Sequence, residues 1–376
     1  MPLRVLIMPD KFKGTLAARA AAEAIARGWR RTRPHDSLVL RPMSDGGDGF
    51  GELLGELLGA TPQSVRTVDA AHRPCKATWW WEPKTNTAIV ESANVIGLAM
   101  LPPGKFHPWE LDTFGLAEVL RAAERKGARQ ILVGIGGSAT NDGGFGLARG
   151  LGWDFLDRAG KSITYWTRLA ELAEVRPPLP HLRSRVIVAV DVQNVLLGGR
   201  GATRVYGPQK GIQPSEFTDA ERNLRRLAAV MARRRRSVVA QAEFHLRPGA
   251  GAAGGLGFGL LAFCAARLQP GFELFARHAH LRQHLRAANL VLTGEGGIDA
   301  SSAMGKGVGE LARRCRALGV PCIGLAGRVI RSKETTAAFD QAHALTDLTT
   351  EVAAKARPAL WLARLAAQTG AALPCP

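Results

Sequence analysis

The sequence contains no pair of cysteines at the CxxC spacing of zinc and redox motifs, and its cysteine count, five, is odd. These absences exclude a structural zinc site built on CxxC pairs and argue against a disulfide framework. We therefore expect a protein of a reducing compartment, the cytoplasm.

A complete Walker A motif is also absent. Gly160, Lys161 and Ser162 match the end of that motif, but Phe155 stands where its first glycine is required. We interpret residues 160–162 as a surface turn, and the sequence excludes a P-loop nucleotide-binding enzyme.

Long apolar runs are nearly missing. Residues 249–266 carry no charge, but the first half of this stretch is glycine and alanine, which is too weakly apolar to hold a helix in lipid. We predict a glycine-rich loop that leads into a buried helix, and no membrane partner. The N-terminal apolar run contains Arg4 and lacks a cleavage-site pattern, so we interpret it as a first strand and not as a signal peptide.

Acidic residues are outnumbered: 32 Asp and Glu stand against 50 Lys and Arg, which gives a net charge of +18. Such a charge attracts anions in general. A non-catalytic nucleic-acid-binding protein is one alternative, and salt-sensitive retention on DNA or RNA would favour it. However, the densest basic run, residues 233–236, ends an amphipathic helix and has no interleaved aromatic residues. We therefore favour a solvated basic face and expect no nucleic-acid partner.

The sequence does contain a dense glycine-rich stretch, residues 130–152. Residues 131–133 are a short apolar run typical of a buried strand, and glycine, hydroxyl, amide and carboxylate residues follow it. Glycine lets a ligand approach the backbone, N–H groups beside hydroxyls can bind an anion, and amide or carboxylate oxygens suit Mg²⁺. The candidate anion-binding residues are Gly136, Gly137, Ser138 and Thr140, and the candidate magnesium ligands are Asn141 and Asp142.

The order of the elements predicts an α/β protein with two domains. Strands at 4–8 and 37–41 each end in a loop that contains aspartate and glycine, and the C-terminal part alternates strand and helix again. Between these parts, segments 64–68, 76–81 and 87–91 predict an antiparallel meander. We predict a discontinuous, doubly wound Rossmann-like domain, residues 1–63 and 284–376, with a second mixed α/β domain, residues 64–283, inserted into it.

Two local patterns lie in the inserted region. Three consecutive tryptophans, residues 79–81, predict packing, with stacking on a nucleobase as the less favoured alternative. Thr218 and Glu221 have the spacing of a capping box and predict a helix that extends to about residue 236.

Six blocks of the sequence resemble the bacterial glycerate kinase family. They follow the order of that family over nearly the whole chain, and the blocks GIGGSATNDGG and GPQKG are the most specific. The blocks are residues 10–16, 42–49, 134–144, 207–211, 249–257 and 293–296.

The resemblance implies ATP- and Mg²⁺-dependent phosphorylation of D-glycerate, commonly at the 2-hydroxyl, which gives 2-phosphoglycerate. It also implies two α/β domains, one discontinuous and one inserted, with the active site in the cleft between them. The small-molecule substrate D-glycerate and the cofactors ATP and Mg²⁺ are therefore expected.

The sequence departs from the family pattern in two loops. The family usually has Asn-Pro-Leu where this chain has Asn194, Val195 and Leu196. The family also usually has an Arg at the position of Gly297, Gly-Gln-Thr at the positions of residues 300–302, and Pro at the position of Gly307. The loss of an Arg and a Gln removes two hydrogen-bonding groups. A related kinase that acts on another small hydroxy acid, or on the 3-hydroxyl, is therefore the alternative function.

Roles follow from the resemblance together with the residue types. Asp191, at a strand end, is predicted to be the general base or to position the metal, with a turn or capping role as the alternative. Asp45 is a candidate catalytic residue that binds magnesium or substrate, and Lys11 is a candidate catalytic cation. The remaining candidates are Lys13, Asn194 and Lys210 for substrate, Lys306 for phosphate, and Glu295 and Asp299 for metal.

A nicotinamide-dependent oxidoreductase is the other rival, because residues 134–139 fit GxGxxA after a strand. In that fold, however, the helix begins inside the motif, and here Thr-Asn-Asp-Gly-Gly follows. The sequence does not define the oligomeric state, and it allows a homodimer.

Overall fold

A computed structural model describes residues 2–12, 14–235, 243–303 and 307–374 of the chain. The contacts within it divide the chain into two compact units. Unit 1 consists of Met1–Asp45 and Phe272–Pro376, and unit 2 consists of Gly46–Gly271. Unit 1 is therefore discontinuous in sequence, and unit 2 is continuous.

The N-terminal segment of unit 1 contains β1 (Arg4–Ile7), α1 (Ala18–Thr32) and β2 (Ser37–Leu40). Unit 2 begins with α2 (Phe50–Leu58), β3 (Thr61–Val68), β4 (Pro74–Glu82), β5 (Thr87–Glu91), α3 (Ala93–Ile96), α4 (Leu116–Arg125) and β6 (Gln130–Gly134). It continues with α5 (Phe145–Gly150), β7 (Asp154–Leu156), β8 (Glu174–Arg176), β9 (Arg185–Ala189), α6 (Ala202–Lys210), α7 (Phe217–Arg235), α8 (Ala252–Phe263) and β10 (Arg267–Gln269).

The main sheet of unit 2 has the strand order β10-β9-β6-β5-β4-β3. Strands β5, β6, β9 and β10 run parallel, whereas β3, β4 and β5 form an antiparallel meander. The predicted meander is confirmed. The carboxyl ends of β5, β6 and β9 lie side by side, which is where ligands bind in open α/β sheets.

The C-terminal segment of unit 1 completes a second sheet, of order β15-β13-β11-β1-β2, in which every pair is parallel. The predicted α/β class is thus confirmed. The elements are α9 (Gly271–His278), α10 (Leu281–Ala287), β11 (Leu290–Thr293), β12 (Gly297–Ile298), α11 (Ala300–Ala303), α12 (Gly307–Ala317), β13 (Cys322–Ala326), β14 (Arg328–Val329), α13 (Lys333–Ala338), β15 (Gln341–Ala344), α14 (Glu351–Ala356) and α15 (Pro358–Ala372).

Helices α1 and α15 pack closely in unit 1. A Cβ added at Gly28 would lie 1.9 Å from the carbonyl oxygen of Ala363, so only glycine permits this approach. Trp29 and Leu362 are fully buried in the core beside them. The first and the last long helices of the chain are therefore joined in one core.

The first division of the chain falls at Asp45 and not at the predicted residue 63, and the second at Gly271 and not at 283. Helix α2 belongs to unit 2 because the carboxylate of Glu91, at the end of β5, accepts hydrogen bonds from the N–H groups of Gly49 and Gly51, each 2.9 Å long. The sequence of α2, a short apolar helix after a loop, does not indicate that its partner is the distant Glu91.

Two further expectations have different outcomes. The predicted capping box of Thr218 and Glu221 is wrong: α7 begins at Phe217, and the box is formed by Gln213 and Glu216 in the turn before it. The predicted glycine-rich loop running into a buried helix is confirmed in α8, whose residues 253–255 have left-handed backbone angles. Across the described ranges, no helix is both long and apolar enough to cross a membrane.

Candidate active site

The glycine-rich loop of unit 2 joins β6 to α5. The helix begins only at Phe145, well beyond the GxGxxA pattern, so the loop lacks the strand–turn–helix geometry of a dinucleotide-binding motif. Gly137 has a φ of +75°, and a Cβ added there would lie 2.3 Å from Oδ1 of Asp48. The backbone angle therefore favours glycine at this point, and a larger residue would also have to displace the side chain of Asp48.

Lys210 lies behind this loop. It is the last residue of α6, which Gly211 ends in a left-handed conformation, and its side chain is buried. Its Nζ donates hydrogen bonds to Oγ of Ser138 (3.1 Å) and to the carbonyl oxygen of Thr140 (2.6 Å). Burial lowers the pKa of Lys210 to about 7, and the nearby carboxylate of Asp142 opposes that shift. A titratable amine is thus held against the predicted anion-binding loop.

Two buried polar atoms of the loop have no hydrogen-bond partner among the described residues: Oγ1 of Thr140 and Oδ1 of Asn141. The amide nitrogen of Asn141 donates to Oγ1 of Thr203 over 3.0 Å, which fixes the orientation of the amide. Buried polar atoms normally have partners, because leaving them unpaired costs about 1–3 kcal/mol. These two oxygens are therefore available to a ligand, and the oxygen of Asn141 fits its predicted role toward a magnesium ion.

Asp142 is completely buried and has four donors around its carboxylate. Its Oδ2 accepts from the N–H and the hydroxyl of Thr113 and from the N–H of Gly146, and its Oδ1 accepts from the N–H of Gly144. Burial and the charge of Asp112 raise the pKa of Asp142 to about 6. These contacts give Asp142 a structural role that anchors α5 and the loop, and they leave little room for the predicted metal-binding role.

Asp191 is the second residue after β9, and β9 is the neighbour of β6 in the sheet. Its Oδ1 accepts a hydrogen bond from the N–H of Gly271 over 2.8 Å. Because β6 and β9 are parallel neighbours, Asp191 and the loop after Gly134 lie at the same end of the sheet. A carboxylate oriented by a backbone N–H at this place is suited to accept a proton from a bound hydroxyl.

Asn194 makes two hydrogen bonds that stabilise its own loop. Its Nδ2 donates to the carbonyl oxygen of Arg200 over 2.8 Å, and its Oδ1 accepts from the hydroxyl of Tyr206 over 2.6 Å. Both ends of the amide are thereby engaged within the chain. Asn194 therefore helps to hold this loop, and its predicted contact with the substrate stays a prediction.

Unit 1 has a separate cluster of acidic residues around Asp10. Burial, followed by the charges of Asp45 and Glu295, raises the pKa of Asp10 to about 8, and Lys11 acts in the opposite direction. The backbone N–H of Lys11 donates to Oδ1 of Asp10 over 2.7 Å. The predicted residues Asp45, Lys11 and Glu295 are thus brought together around Asp10.

Asp10 was not among the residues predicted for the site. Its position at the end of β1, directly before Lys11, was the available signal. A Cβ added at Gly307, the first residue of α12, would lie 3.5 Å from Oδ2 of Asp10, so the N-terminus of this helix faces the cluster. Asp299, a predicted metal ligand, accepts a hydrogen bond from the N–H of Ser302 over 3.1 Å and so orders the start of α11.

The acidic cluster around Asp10 suits a Mg²⁺ ion whose coordination shell is completed by phosphate oxygens of the substrate. In residues 2–12, 14–235, 243–303 and 307–374, no three His, Cys, Asp or Glu side chains form a preformed metal cage. Mg²⁺ is usually held by one or two carboxylates together with phosphate oxygens and waters, so a cage is not required. Asp10, Asp45 and Glu295 supply such carboxylates. The predicted Lys13 and Lys306 lie outside the described residues.

Proteins of one known family are similar to this chain over nearly its whole length. Residues 5–373 match the glycerate kinase family. Glycerate 2-kinase of Escherichia coli K12 is 34% identical over 333 residues, which cover 86% of this chain and 85% of that protein. Glycerate kinase of Haemophilus influenzae is 34% identical over 358 residues, 92% of this chain and 93% of that one.

A solved structure is similar over the same length. The crystal structure of a protein described as a glycerate kinase 2 from Salmonella typhimurium LT2 superposes with a TM-score of 0.81 and 32% identity, and covers 99% of this chain and 98% of that one. This likeness is consistent with the two-domain α/β architecture. Together with the match over residues 5–373, it shows that the chain belongs to the glycerate kinase family.

Proposed function

We propose that this chain transfers the γ-phosphoryl group of ATP to the 2-hydroxyl of D-glycerate and forms 2-phosphoglycerate and ADP. The observation that supports this proposal best is the contact of buried Lys210 with Ser138 and Thr140. It places a cation beneath a glycine-rich loop at the carboxyl end of a parallel strand, where phosphates bind in α/β proteins.

In this proposal, Ser138, Thr140 and the backbone N–H groups of the loop hold phosphate oxygens. Phosphoryl transfer depends mainly on positioning and on neutralising charge. An anion bound to Ser138 would favour the charged form of Lys210, whose pKa burial lowers to about 7. Lys210 thus acts on the phosphates through Ser138 and the loop, more than as the substrate contact predicted from the sequence.

Asp191 takes the proton of the attacking hydroxyl. The 2-oxygen of glycerate forms a bond to the γ-phosphorus, the bond between that phosphorus and the β,γ-bridging oxygen breaks, and ADP leaves. The hydrogen bond from the N–H of Gly271 keeps the Asp191 carboxylate oriented for this step. General-base catalysis of this kind contributes roughly 10²–10⁴-fold.

One or two of the carboxylates of Asp10, Asp45 and Glu295 would hold Mg²⁺ in this proposal, together with phosphate oxygens of the nucleotide. When bound, the ion neutralises the charge of phosphate oxygens. The family resemblance alone supports the placement of the reaction in an interdomain cleft. A reducing, cytoplasmic location is part of the proposal because Cys75, Cys264, Cys315 and Cys322 are free.

A second candidate acceptor is another small hydroxy acid, or the 3-hydroxyl of glycerate. The observation that favours it is Gly297, which stands where the family usually has an Arg. A Cβ added there would meet only the carbonyl oxygen of Arg328, at 4.0 Å, so the space for a longer side chain is open.

The test is the release of ADP from Mg-ATP with D-glycerate, compared with a no-acceptor control and a panel of hydroxy acids. We expect glycerate-dependent ADP release, and phosphorus NMR of the product then identifies the hydroxyl. Phosphorylation of another acid but not of glycerate would favour the second candidate. A protein that does not bind ATP would contradict the kinase proposal.

A further inference from the structure

Unit 2 contains a cavity of about 470 Å³ on the outer face of β4. Trp80, Thr78 and Lys76, which alternate along β4, line one side of it. Asn94 and Met100 line another side, in and after α3. The proposed phosphoryl transfer assigns no role to this cavity.

The three consecutive tryptophans divide between two environments. Trp79 and Trp81 are buried in the core, at 3% and 9% exposure, whereas Trp80 points to the opposite face and lines the cavity. Trp80 rests on two glycines of α2, because a Cβ at Gly51 or Gly55 would lie 2.0 or 2.8 Å from its indole ring. The packing prediction therefore holds for two tryptophans, and the third presents part of its ring to a cavity.

The polar groups of this cavity have unused hydrogen-bonding capacity. In the described part of the chain, the indole N–H of Trp80, the hydroxyl of Thr78 and the amide of Asn94 have no hydrogen-bond partner. The carboxylate of Glu91 on the cavity wall is, by contrast, engaged by Gly49 and Gly51. An aromatic ring beside uncommitted donors and acceptors suits a flat heterocycle with polar edges.

The wall of the cavity is joined directly to the glycine-rich loop. The N–H of Leu98 donates to the carbonyl oxygen of Gly137 over 2.9 Å, and Gly97 pairs with Ser138. A Cβ added at Gly137 would lie 3.3 Å from Cβ of Ala93, which also lines the cavity. A ligand in the cavity is therefore next to the loop proposed to hold phosphates.

We propose that this cavity binds the purine base of the nucleotide whose phosphates lie on residues 136–140. This inference rests on the proposed function and adds the site of the base. The volume suits an organic group of nucleoside size, and Glu52 and Glu91 on its wall disfavour the small anionic acid as its occupant.

The test compares Trp80→Leu and Asn94→Leu with Trp361→Leu, which removes a partly buried tryptophan from α15 in unit 1. Calorimetry measures the binding of ATP and of inorganic tripolyphosphate, and kinetics give the KM for ATP and for glycerate. Loss of one base-stacking contact weakens binding by about tenfold or more. We expect that loss for ATP in Trp80→Leu and a loss of roughly two- to tenfold, from one hydrogen bond, in Asn94→Leu, with tripolyphosphate binding, the glycerate KM and the control unchanged.

The outcomes separate the two proposals. Unchanged ATP affinity in Trp80→Leu and Asn94→Leu would overturn the base site while leaving the kinase proposal intact, and so would an equal loss of ATP and tripolyphosphate binding. ATP binding that is sensitive to both substitutions, in a wild-type protein that phosphorylates no acid, would support the base site and contradict the proposed reaction. If Trp80→Leu fails to fold, the ATP affinity of Asn94→Leu, which changes a partly exposed residue, still tests the base site.

Discussion

The amine of Lys210 donates a hydrogen bond to the hydroxyl of Ser138 over 3.1 Å, although the two residues are 72 positions apart in the sequence. This contact ties the end of α6 to the loop after β6. The second bond of the amine, to the carbonyl oxygen of Thr140, fixes the backbone of the same loop. One buried and titratable side chain therefore helps to fix the conformation of the loop.

Replacing Lys210 by methionine should change how stability depends on pH. The pKa of Lys210 is about 7 in the folded protein and about 10.5 in the unfolded chain. Between these values the unfolded chain holds more protons, so this group makes the folded protein more stable as pH rises from about 7. We expect the wild-type free energy of unfolding to increase from pH 7 to pH 9 relative to that of Lys210→Met, measured by urea denaturation.

Lys210→Arg is the matched control for this measurement, because arginine keeps its charge throughout this pH range. It should be less stable than Lys210→Met, since a permanent charge is buried without a carboxylate bonded to it. Parallel curves for the wild type and Lys210→Met between pH 7 and pH 9 would contradict the lowered pKa.

Asp191→Asn should lower turnover by roughly 10²-fold or more without destabilising the protein. The amide oxygen of asparagine can still accept the hydrogen bond from the N–H of Gly271, but the amide cannot take a proton at neutral pH. The measurements are steady-state kinetics and thermal unfolding. Asp191→Ala is the comparison variant: it should lose both activity and the bond to Gly271, whereas near-normal turnover of Asp191→Asn would remove Asp191 from the role of base.

Asp10→Asn should weaken Mg²⁺ binding while making the metal-free protein more stable. Removing this carboxylate relieves the cost of its burial and its repulsion by Asp45 and Glu295, the causes that raise its pKa. We expect Mg²⁺ to raise the unfolding temperature of the wild type by roughly 2–4 °C for each kcal/mol of binding, and this shift to be lost in the variant. An equal Mg²⁺-induced shift in both proteins, measured by calorimetry, would argue against this site.

Gly297→Arg should restore an interaction with the acid substrate. The position is exposed at β12 and has open space, so the substitution should change stability by no more than about 0.5 kcal/mol. One charge-assisted hydrogen bond to a carboxylate is worth about 1.5–3 kcal/mol, so the KM for D-glycerate should fall by roughly 10- to 150-fold. Gly297→Leu, of similar bulk but uncharged, should leave the KM unchanged, and a decrease in both variants would rule out the charge as the cause.

Gly254→Ala should destabilise unit 2 and weaken ATP binding. Gly254 has a φ of +68°, and an added Cβ would lie 1.9 Å from the carbonyl oxygen of Thr140, the acceptor of the Lys210 hydrogen bond. Gly198→Ala shares the left-handed strain, at φ +88°, but has nothing within 4 Å. We expect a cost of about 1–2 kcal/mol for Gly198→Ala and clearly more for Gly254→Ala in urea denaturation. Equal losses would mean that the contact with Thr140 is unimportant.

The elements with strong local signals were predictable from the sequence. Helix α2 runs over Phe50–Leu58 as expected, because a left-handed Gly59 ends it. The meander of β3, β4 and β5 follows from alternating β-branched and aromatic residues between turns. These features depend on neighbours within a few positions, which a sequence displays directly.

The contacts that define the candidate site were not predictable in this way. Asp142 has the residue type of a metal ligand, yet distant Thr113 occupies its oxygens. Asn194 resembles a substrate ligand, yet Tyr206 and Arg200 engage it. Residue type indicates what a side chain is able to bind, whereas burial and partners brought from elsewhere in the fold decide what it does bind.

The position of β1 between β11 and β2 in its sheet has a consequence for biosynthesis. Oγ1 of Thr293 donates to the carbonyl oxygen of Met8 from 285 positions further along the chain, and β11 pairs with β1. As the chain leaves the ribosome, all strands of unit 2 are available before β11 has been made. For most of translation β1 can therefore pair only with β2, and its other edge stays unpaired, and open to pairing with another chain, until β11 has been made.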